Sequence, residues 1–263
     1  MAVGRVRGRR RIPGQVPLSF ADHFSTIAAG YAAHRPRYPQ ALADALAERC
    51  THHDLAWEAG CGNGQLSVRL AARFAHVIAT DPSRAQLDAA ERHPAIEYRC
   101  ESAEQVTLGD ATADLAVAAQ AAHWFDWPRY VAEVGRVARP GALVALVSYG
   151  VLRLPGEVGP VIEHYYRDVV GPYWPPGREH VENGYRDLAW PWPVVEAPVL
   201  GMTAEWTRDE LIGYVATWSA TVKLVDTVGP APFEALRARL AEVWPGDDRR
   251  TVTWPLALRF ARR

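Results

Sequence analysis

The stretch Leu55-Ala56-Trp57-Glu58-Ala59-Gly60-Cys61-Gly62-Asn63-Gly64-Gln65 decides the fold. An apolar run with the character of a buried strand meets an acidic residue and then three glycines on alternate positions, and Leu66 to Ala71 takes up a helix-like pattern. Strand, tight turn and helix start therefore follow one another directly. Glycine in such a turn permits positive φ and lets a ligand approach the main chain without meeting a Cβ. The spacing narrows the ligand. A dinucleotide fingerprint G-x-G-x-x-G would need glycine where Gln65 stands, and here the third glycine comes one residue early, at Gly64. Glu58, just before the loop, would repel a pyrophosphate and suits a ligand that carries an ammonium group.

Downstream, Ala75 to Thr80 reads as a second apolar strand closed by Asp81-Pro82-Ser83, and Asp81 lies 21 positions beyond Gly60. A carboxylate at the tip of the second strand of a doubly wound sheet has the reach to accept both ribose hydroxyls; capping of the helix that runs from Arg84 to Glu91 is an equally good use of Asp81 or Ser83. Ile96 to Cys100 is a short strand, with Glu101-Ser102-Ala103-Glu104 at its end, where an adenine ring would lie. Asp114 to Ala118 is the fourth strand and delivers Gln120-Ala121-Ala122-His123-Trp124-Phe125-Asp126-Trp127 to the carboxyl edge, where open α/β sheets bind ligands. A helix over 128–139 and a fully apolar strand from Ala142 to Tyr149 follow. Strand and helix alternate throughout, which predicts a parallel sheet covered by helices on both faces.

Beyond Gly150 the pattern changes. Residues 151–198 are rich in proline and aromatics, including Tyr173-Trp174-Pro175-Pro176, Tyr185 and Trp190-Pro191-Trp192-Pro193, and are expected to form a cap over the sheet edge. A strand at Val199–Trp206, helices from Arg208 to about Ser219 and from Pro232 to Trp244, and a last strand at Thr251–Arg259 complete seven strands. The expected fold is α/β: a doubly wound, mostly parallel, seven-stranded Rossmann-like sheet with the cap after its fifth strand. Residues 20–263 form one domain behind a basic tail, 1–19, whose arginines between Arg5 and Arg11 cannot order themselves by burial.

Composition excludes several classes. Lys+Arg 29 against Asp+Glu 30 leaves no bulk charge to attract nucleic acid or an anionic membrane. Cys50, Cys61 and Cys100 are odd in number and widely spread, so neither a disulfide framework nor a metal site is expected. A cytoplasmic protein, monomer or homodimer, fits. No apolar run reaches the length of a membrane span.

With these pieces in place, the chain resembles the class I S-adenosylmethionine-dependent methyltransferases, and within them the trans-aconitate methyltransferase-like branch. The resemblance covers roughly residues 20–263. It rests on Tyr31-Ala32-Ala33-His34-Arg35-Pro36-Arg37-Tyr38-Pro39, the loop Glu58 to Gly64, Asp81, Ala103-Glu104, the Gln120 to Asp126 segment, Arg139-Pro140-Gly141, Tyr173-Trp174, Thr217-Trp218-Ser219-Ala220 and Trp254-Pro255-Leu256. It implies S-adenosylmethionine as cofactor, S-adenosylhomocysteine as product, and a cofactor site of Tyr31, Arg35, Glu58, Gly60, Cys61, Gly62, Gly64, Gln65, Asp81, Pro82, Ser102, Ala103, Glu104, Gln120 and Ala121. Many relatives have aspartate where this chain has Ser102, so a carboxylate contact to the adenine amino group is either lost or taken over by Glu101. Relatives of this branch methylate carboxylates.

Methyl transfer from a sulfonium needs positioning above all, and aromatic faces such as Tyr31 or Trp124 add about 0.5–2 kcal/mol by cation–π attraction. A base is needed only when the acceptor is protonated at neutral pH. His123 is the candidate catalytic residue, to orient or deprotonate the acceptor. Trp124, Tyr149, Trp174, His180, Tyr185 and Trp218 are candidates for lining the acceptor pocket. The expected activity is methylation of a small molecule, on a carboxylate or hydroxyl oxygen. The alternatives are a non-catalytic S-adenosylmethionine-binding module and an NAD-dependent oxidoreductase.

Overall fold

A computed structural model describes residues 36–263. Tyr31, Arg35 and the basic tail lie outside the described residues. Helix α1 (Gln40–Ala47) leads into β1 (Leu55–Ala59), α2 (Ser67–Leu70), β2 (His76–Thr80), α3 (Arg84–Asp88), β3 (Ile96–Arg99), β4 (Ala113–Ala119), α4 (Trp127–Val137) and β5 (Ala138–Tyr149). After α5 (Val158–His164), a π-helical turn Tyr165–Val169, a 3-10 turn Gly171–Tyr173 and α6 (Arg178–Glu182) come β6 (Val194–Val195), β7 (Gly201–Trp206), α7 (Arg208–Ala216), α8 (Ser219–Val228), α9 (Ala231–Val243) and β8 (Arg250–Arg262).

The sheet runs β3-β2-β1-β4-β5-β8-β6, with β7 also paired to β8. The first five strands are mutually parallel, and β8 is antiparallel to β5, β6 and β7. The sheet therefore has eight strands where the sequence predicts seven. The extra strand is β6, only two residues long, which periodicity does not register. β8 serves three neighbours along its length: β7 opposite Arg250–Pro255, β5 opposite Leu256–Arg262, and β6 opposite Phe260 and Ala261.

Alternation along the strands makes the two faces. Leu115, Val117, Leu143, Ala145 and Val147 join α1, α2 and the aromatic part of the region beyond 150 in one core. Ala116, Ala118, Val144 and Leu146 face Trp57, Tyr130, Val134 and Val137 in another. Helix α4 supplies the second core with Tyr130, Val134 and Val137, a helical stripe, and starts at Asp126, whose side chain accepts from the amide of Arg129.

Other boundaries moved. The helix expected over 128–139 ends at Val137, and Arg139-Pro140-Gly141 belongs to the start of β5. That motif has a structural use: Arg139 pairs with buried Asp114 at 2.9 Å, and Asp114 in turn accepts from the amides of Asp54 and Leu55. Helix α7 stops at Ala216, and a separate helix, α8, begins at Ser219, where the sequence reading places one helix end and nothing further. The last strand extends to Arg262. Among the described residues, no helix is long and apolar enough to cross a membrane.

Candidate active site

The loop after β1 is built by its three glycines, each with positive φ: Gly60 at 67°, Gly62 at 54° and Gly64 at 78°. Their roles differ. A Cβ on Gly60 would stand 2.5 Å from Ala121 Cβ, so its absence lets β1 and the turn after β4 close together. A Cβ on Gly64 would stand 2.2 Å from Tyr98 Oη. Among the described residues, a Cβ on Gly62 would meet only Gln86 Oε1, at 3.9 Å, so this position is not closed by its neighbours. The amide of Gly62 donates to Asp81 Oδ2 at 2.9 Å, and the amide of Ser83 to Asp81 Oδ1 at 2.8 Å. Ser83 also caps α3 through the amide of Gln86. The capping reading therefore holds for Ser83, and Asp81 braces the loop against the tip of the second strand.

A cleft of about 690 Å³, open mouth included, lies over these residues, lined by Tyr38, Glu58, Gly60, Cys61, Gly62, Asn63, Gln65, Leu66, Asp81, Gln86, Ala119, Gln120, Ala121, Trp124 and Tyr149. Two carboxylates face it and none of those residues is a lysine, arginine or histidine. Glu58 is 2 % exposed and accepts from Ser67 Oγ. Burial, reinforced by the neighbouring Asp81 charge, pushes its carboxyl up to about 8. Burial also raises Asp81, against the pull of its two amide donors, and holds the Cys61 thiol protonated. A cleft lined by two partly desolvated carboxyl groups, with no cation among the described residues that line it, suits a positively charged ligand, which stabilises their ionised forms. Gln120 adds a polar group: its backbone has φ 53°, its Nε2 donates to Tyr149 O at 2.8 Å, and its buried Oε1 has no partner among the described residues. A strained residue that borders a cleft and carries an orphaned acceptor is a candidate ligand contact.

Of the expected cofactor residues, Glu58, Gly60, Cys61, Gly62, Gln65, Asp81, Gln120 and Ala121 come together here. Gly64 turns away, toward Tyr98. Pro82, Ser102, Ala103 and Glu104 do not line the cleft; Glu104 instead accepts from the amide of Asp126 at 2.9 Å and ties the two loops to each other. Glu101 is engaged by the amide and hydroxyl of Thr107, so it does not stand free to replace the aspartate missing at Ser102. Tyr38, Asn63, Leu66, Gln86 and Ala119 line the cleft without having been singled out from sequence. Tyr38 and Asn63 sat inside quoted motifs, whereas Gln86 has no local signal and reaches the cleft only because Ser83 starts α3 beside Asp81.

Trp124 and Tyr149 border the cleft, as the acceptor reading requires. The other acceptor candidates lie beyond it. His123, beside Trp124 with ring centroids 5.0 Å apart, places Nδ1 3.0 Å from Tyr185 Oη. Desolvation first, and then the charges of Arg178 and His180, push the imidazole down to about 3, so His123 is neutral at any physiological pH. His180 pairs with Asp187. Trp174 and Trp218 pack against each other and against Tyr166, and Trp218 is buried in that core. Arg178 lies over the Trp174 ring, 4.4 Å from its centroid, and its Nε donates to Tyr166 Oη at 2.7 Å. Tyr166 Oη in turn donates to Glu182 Oε1 at 2.7 Å. This guanidinium, 19 % exposed, borders a second hollow of about 1000 Å³, open mouth included, with Tyr166, Trp174 and Glu182.

The comparisons with known proteins agree with this geometry. A sequence profile for a methyltransferase domain matches residues 57–146, the span from β1 into β5. A Dictyostelium discoideum protein named as a methyltransferase is 32% identical over 240 residues, covering 90% of this chain and 91% of that protein. The protein belongs to the class I S-adenosylmethionine-dependent methyltransferases. A solved structure from Anaeromyxobacter dehalogenans, named as a type II methyltransferase, shares 43% identity with this methyltransferase at a TM-score of 0.82, covering 87% of this chain and 97% of that one. The fold alone is also shared with the cyclase SpnF, at 17% identity and a TM-score of 0.50 over 92% of this chain and 93% of that one.

The cofactor of the methyltransferase is S-adenosylmethionine, and the residues present fit it. Among the described residues nothing fills the Cβ space of Gly62 and nothing satisfies the Gln120 Oε1 acceptor, and Glu58 and Asp81 face the cleft where a ligand with cationic groups would sit. The NAD reading fails with the family, and a pyrophosphate would be set against Glu58 and Asp81 with no compensating cation among the described residues of the cleft.

Proposed function

We propose that this methyltransferase methylates an oxygen of a small-molecule acceptor, a carboxylate or hydroxyl, and that a carboxylate suits the site better. When bound, S-adenosylmethionine supplies an electrophilic methyl group on a sulfonium. Glu58, Asp81, Gln120 and the Gly60–Gly62 backbone are the residues that would hold it. The region of about 151–198 serves as the cap over the acceptor side.

The observation that carries the choice is Arg178. Its guanidinium is fixed by Tyr166 Oη and by the Trp174 face, it borders an open hollow, and it lies near enough to His123 for its charge to depress that imidazole. A pinned, half-desolvated guanidinium is suited to bidentate recognition of a carboxylate. His123, held neutral and weakly basic, supports an acceptor that is already ionised and needs no base; a hydroxyl acceptor would have to lose its proton to some group.

The test is S-adenosylhomocysteine formation over a panel of small acids, alcohols, phenols and thiols with wild type, Arg178→Gln and His123→Ala. Turnover is expected with carboxylic acids. Arg178→Gln should raise KM for the acid by about 10- to 100-fold, the loss of one charge-assisted contact, with cofactor affinity unchanged. Turnover confined to phenols or thiols would overturn the choice of acceptor.

A further inference from the structure

Tyr185 is fully buried and its backbone sits at φ 61°, a conformation that a bulky residue seldom adopts. It is held there from several sides. Its amide donates to His180 O at 2.7 Å, and Arg259 donates to its carbonyl and to that of Leu188. The preceding Gly184 is also left-handed, at φ 69°, and a Cβ there would stand 2.8 Å from Ala257 Cβ. Strain that the surroundings enforce this thoroughly has a use where it delivers a side chain to a particular place. Here it delivers the phenol to His123: the two rings lie nearly parallel, 19° apart, with Oη 3.0 Å from Nδ1.

Proton accounting then settles the tautomer. One proton lies between Oη and Nδ1. If Nδ1 carried it, the buried phenol O–H would need another acceptor, and among the described residues Tyr185 Oη has none. A buried hydroxyl without an acceptor is costly, so the phenol donates and Nδ1 accepts. The ring proton of the neutral imidazole is then on Nε2, for which no described residue is a partner. We infer that Tyr185 is a positioning residue that fixes His123 as the Nε2-protonated neutral tautomer, so that His123 meets an acceptor as a hydrogen-bond donor and does not act as a base. Of the charged and titratable groups around that ring, Arg178 and His180 disfavour a second proton on it, and the Asp187 carboxylate is taken up by His180.

The tautomer does not depend on the proposed acceptor, but its use in turnover rests on that reading, and the two are tested apart. Nitrogen-15 histidine spectra of the ligand-free full chain are recorded from about pH 5 to 8, the range in which an ordinary imidazole titrates, with His123 assigned by its absence from His123→Gln. The expected result is an untitrated His123 with Nδ1 unprotonated and Nε2 protonated, and in Tyr185→Phe the loss of that preference to a mixture of tautomers. Protonated Nδ1 in wild type, or an unchanged Nε2 tautomer in Tyr185→Phe, would overturn the inference. The wild-type spectrum decides the matter even if the variant does not fold. Undiminished turnover of His123→Ala on the acid panel would instead remove the proposed role of His123 and leave the tautomer assignment standing.

Discussion

The amide of Gly62 donates to Asp81 Oδ2 at 2.9 Å, joining the glycine loop after the first strand to the tip of the second. One carboxylate thus shapes the loop and faces the cleft that the loop encloses.

Asp81→Ala removes the acceptor for two amides, those of Gly62 and Ser83, together with a charge that opposes a cationic ligand. Loss of a charge-assisted contact is worth about 1.5–3 kcal/mol. Binding of S-adenosylhomocysteine, measured by calorimetry, should weaken by about 10- to 100-fold. Unchanged affinity would place the ribose end of the cofactor elsewhere.

Glu58 links binding to pH. Its folded pKa, about 8, lies above its ordinary 4.5, so between those values the folded protein holds a proton that the unfolded chain has lost. Stability of the ligand-free protein must therefore fall as pH rises through that window, and the penalty is complete above the folded pKa. Glu58→Gln keeps an acceptor for Ser67 and removes the charge, so denaturant titrations should show it gaining on wild type from about pH 5 to 8. Cofactor affinity should move in the opposite sense, tightening with pH in wild type as the carboxylate forms and remaining weak and flat in Glu58→Gln. Parallel stability curves for the two proteins would contradict the raised carboxyl.

The three glycines should separate by phenotype. Gly60→Ala and Gly64→Ala combine positive φ with a Cβ inside 3.0 Å of Ala121 or Tyr98. Each should cost about 2–4 kcal/mol of stability. Gly62→Ala meets no described atom closer than 3.9 Å, so its cost is that of the backbone conformation, about 1–2 kcal/mol. Its methyl group enters the cleft, and it should retain the fold while losing cofactor affinity. Thermal unfolding with and without S-adenosylmethionine distinguishes these outcomes, since only a ligand that binds the native state raises Tm.

Local chemistry made much of this readable from the chain. The parallel order of the first five strands, the glycine turn, and Asp81 and Gln120 at strand ends follow from periodicity of two, glycine spacing and the rule that ligands bind at the carboxyl edge. The family followed from several such motifs in order. The sequence could not show which motif residues are structural. Arg139 looked like part of a signature and is the partner of buried Asp114; Glu104 looked like an adenine contact and holds the Asp126 amide. Whether a charge faces a ligand or the core depends on packing between segments far apart in sequence.

The same reason governs the acceptor side. From sequence, His123 was a candidate to orient or deprotonate the acceptor, because its position at a strand end was visible and its surroundings were not. Burial, Arg178 and Tyr185 come from elements more than fifty residues downstream, and together they make the imidazole neutral and weakly basic. Residue types and spacing, which are local, determined the fold and the cofactor. Protonation states and the separation of cofactor residues from braces are set by long-range desolvation and hydrogen-bond pairing, and only the tertiary structure decided them.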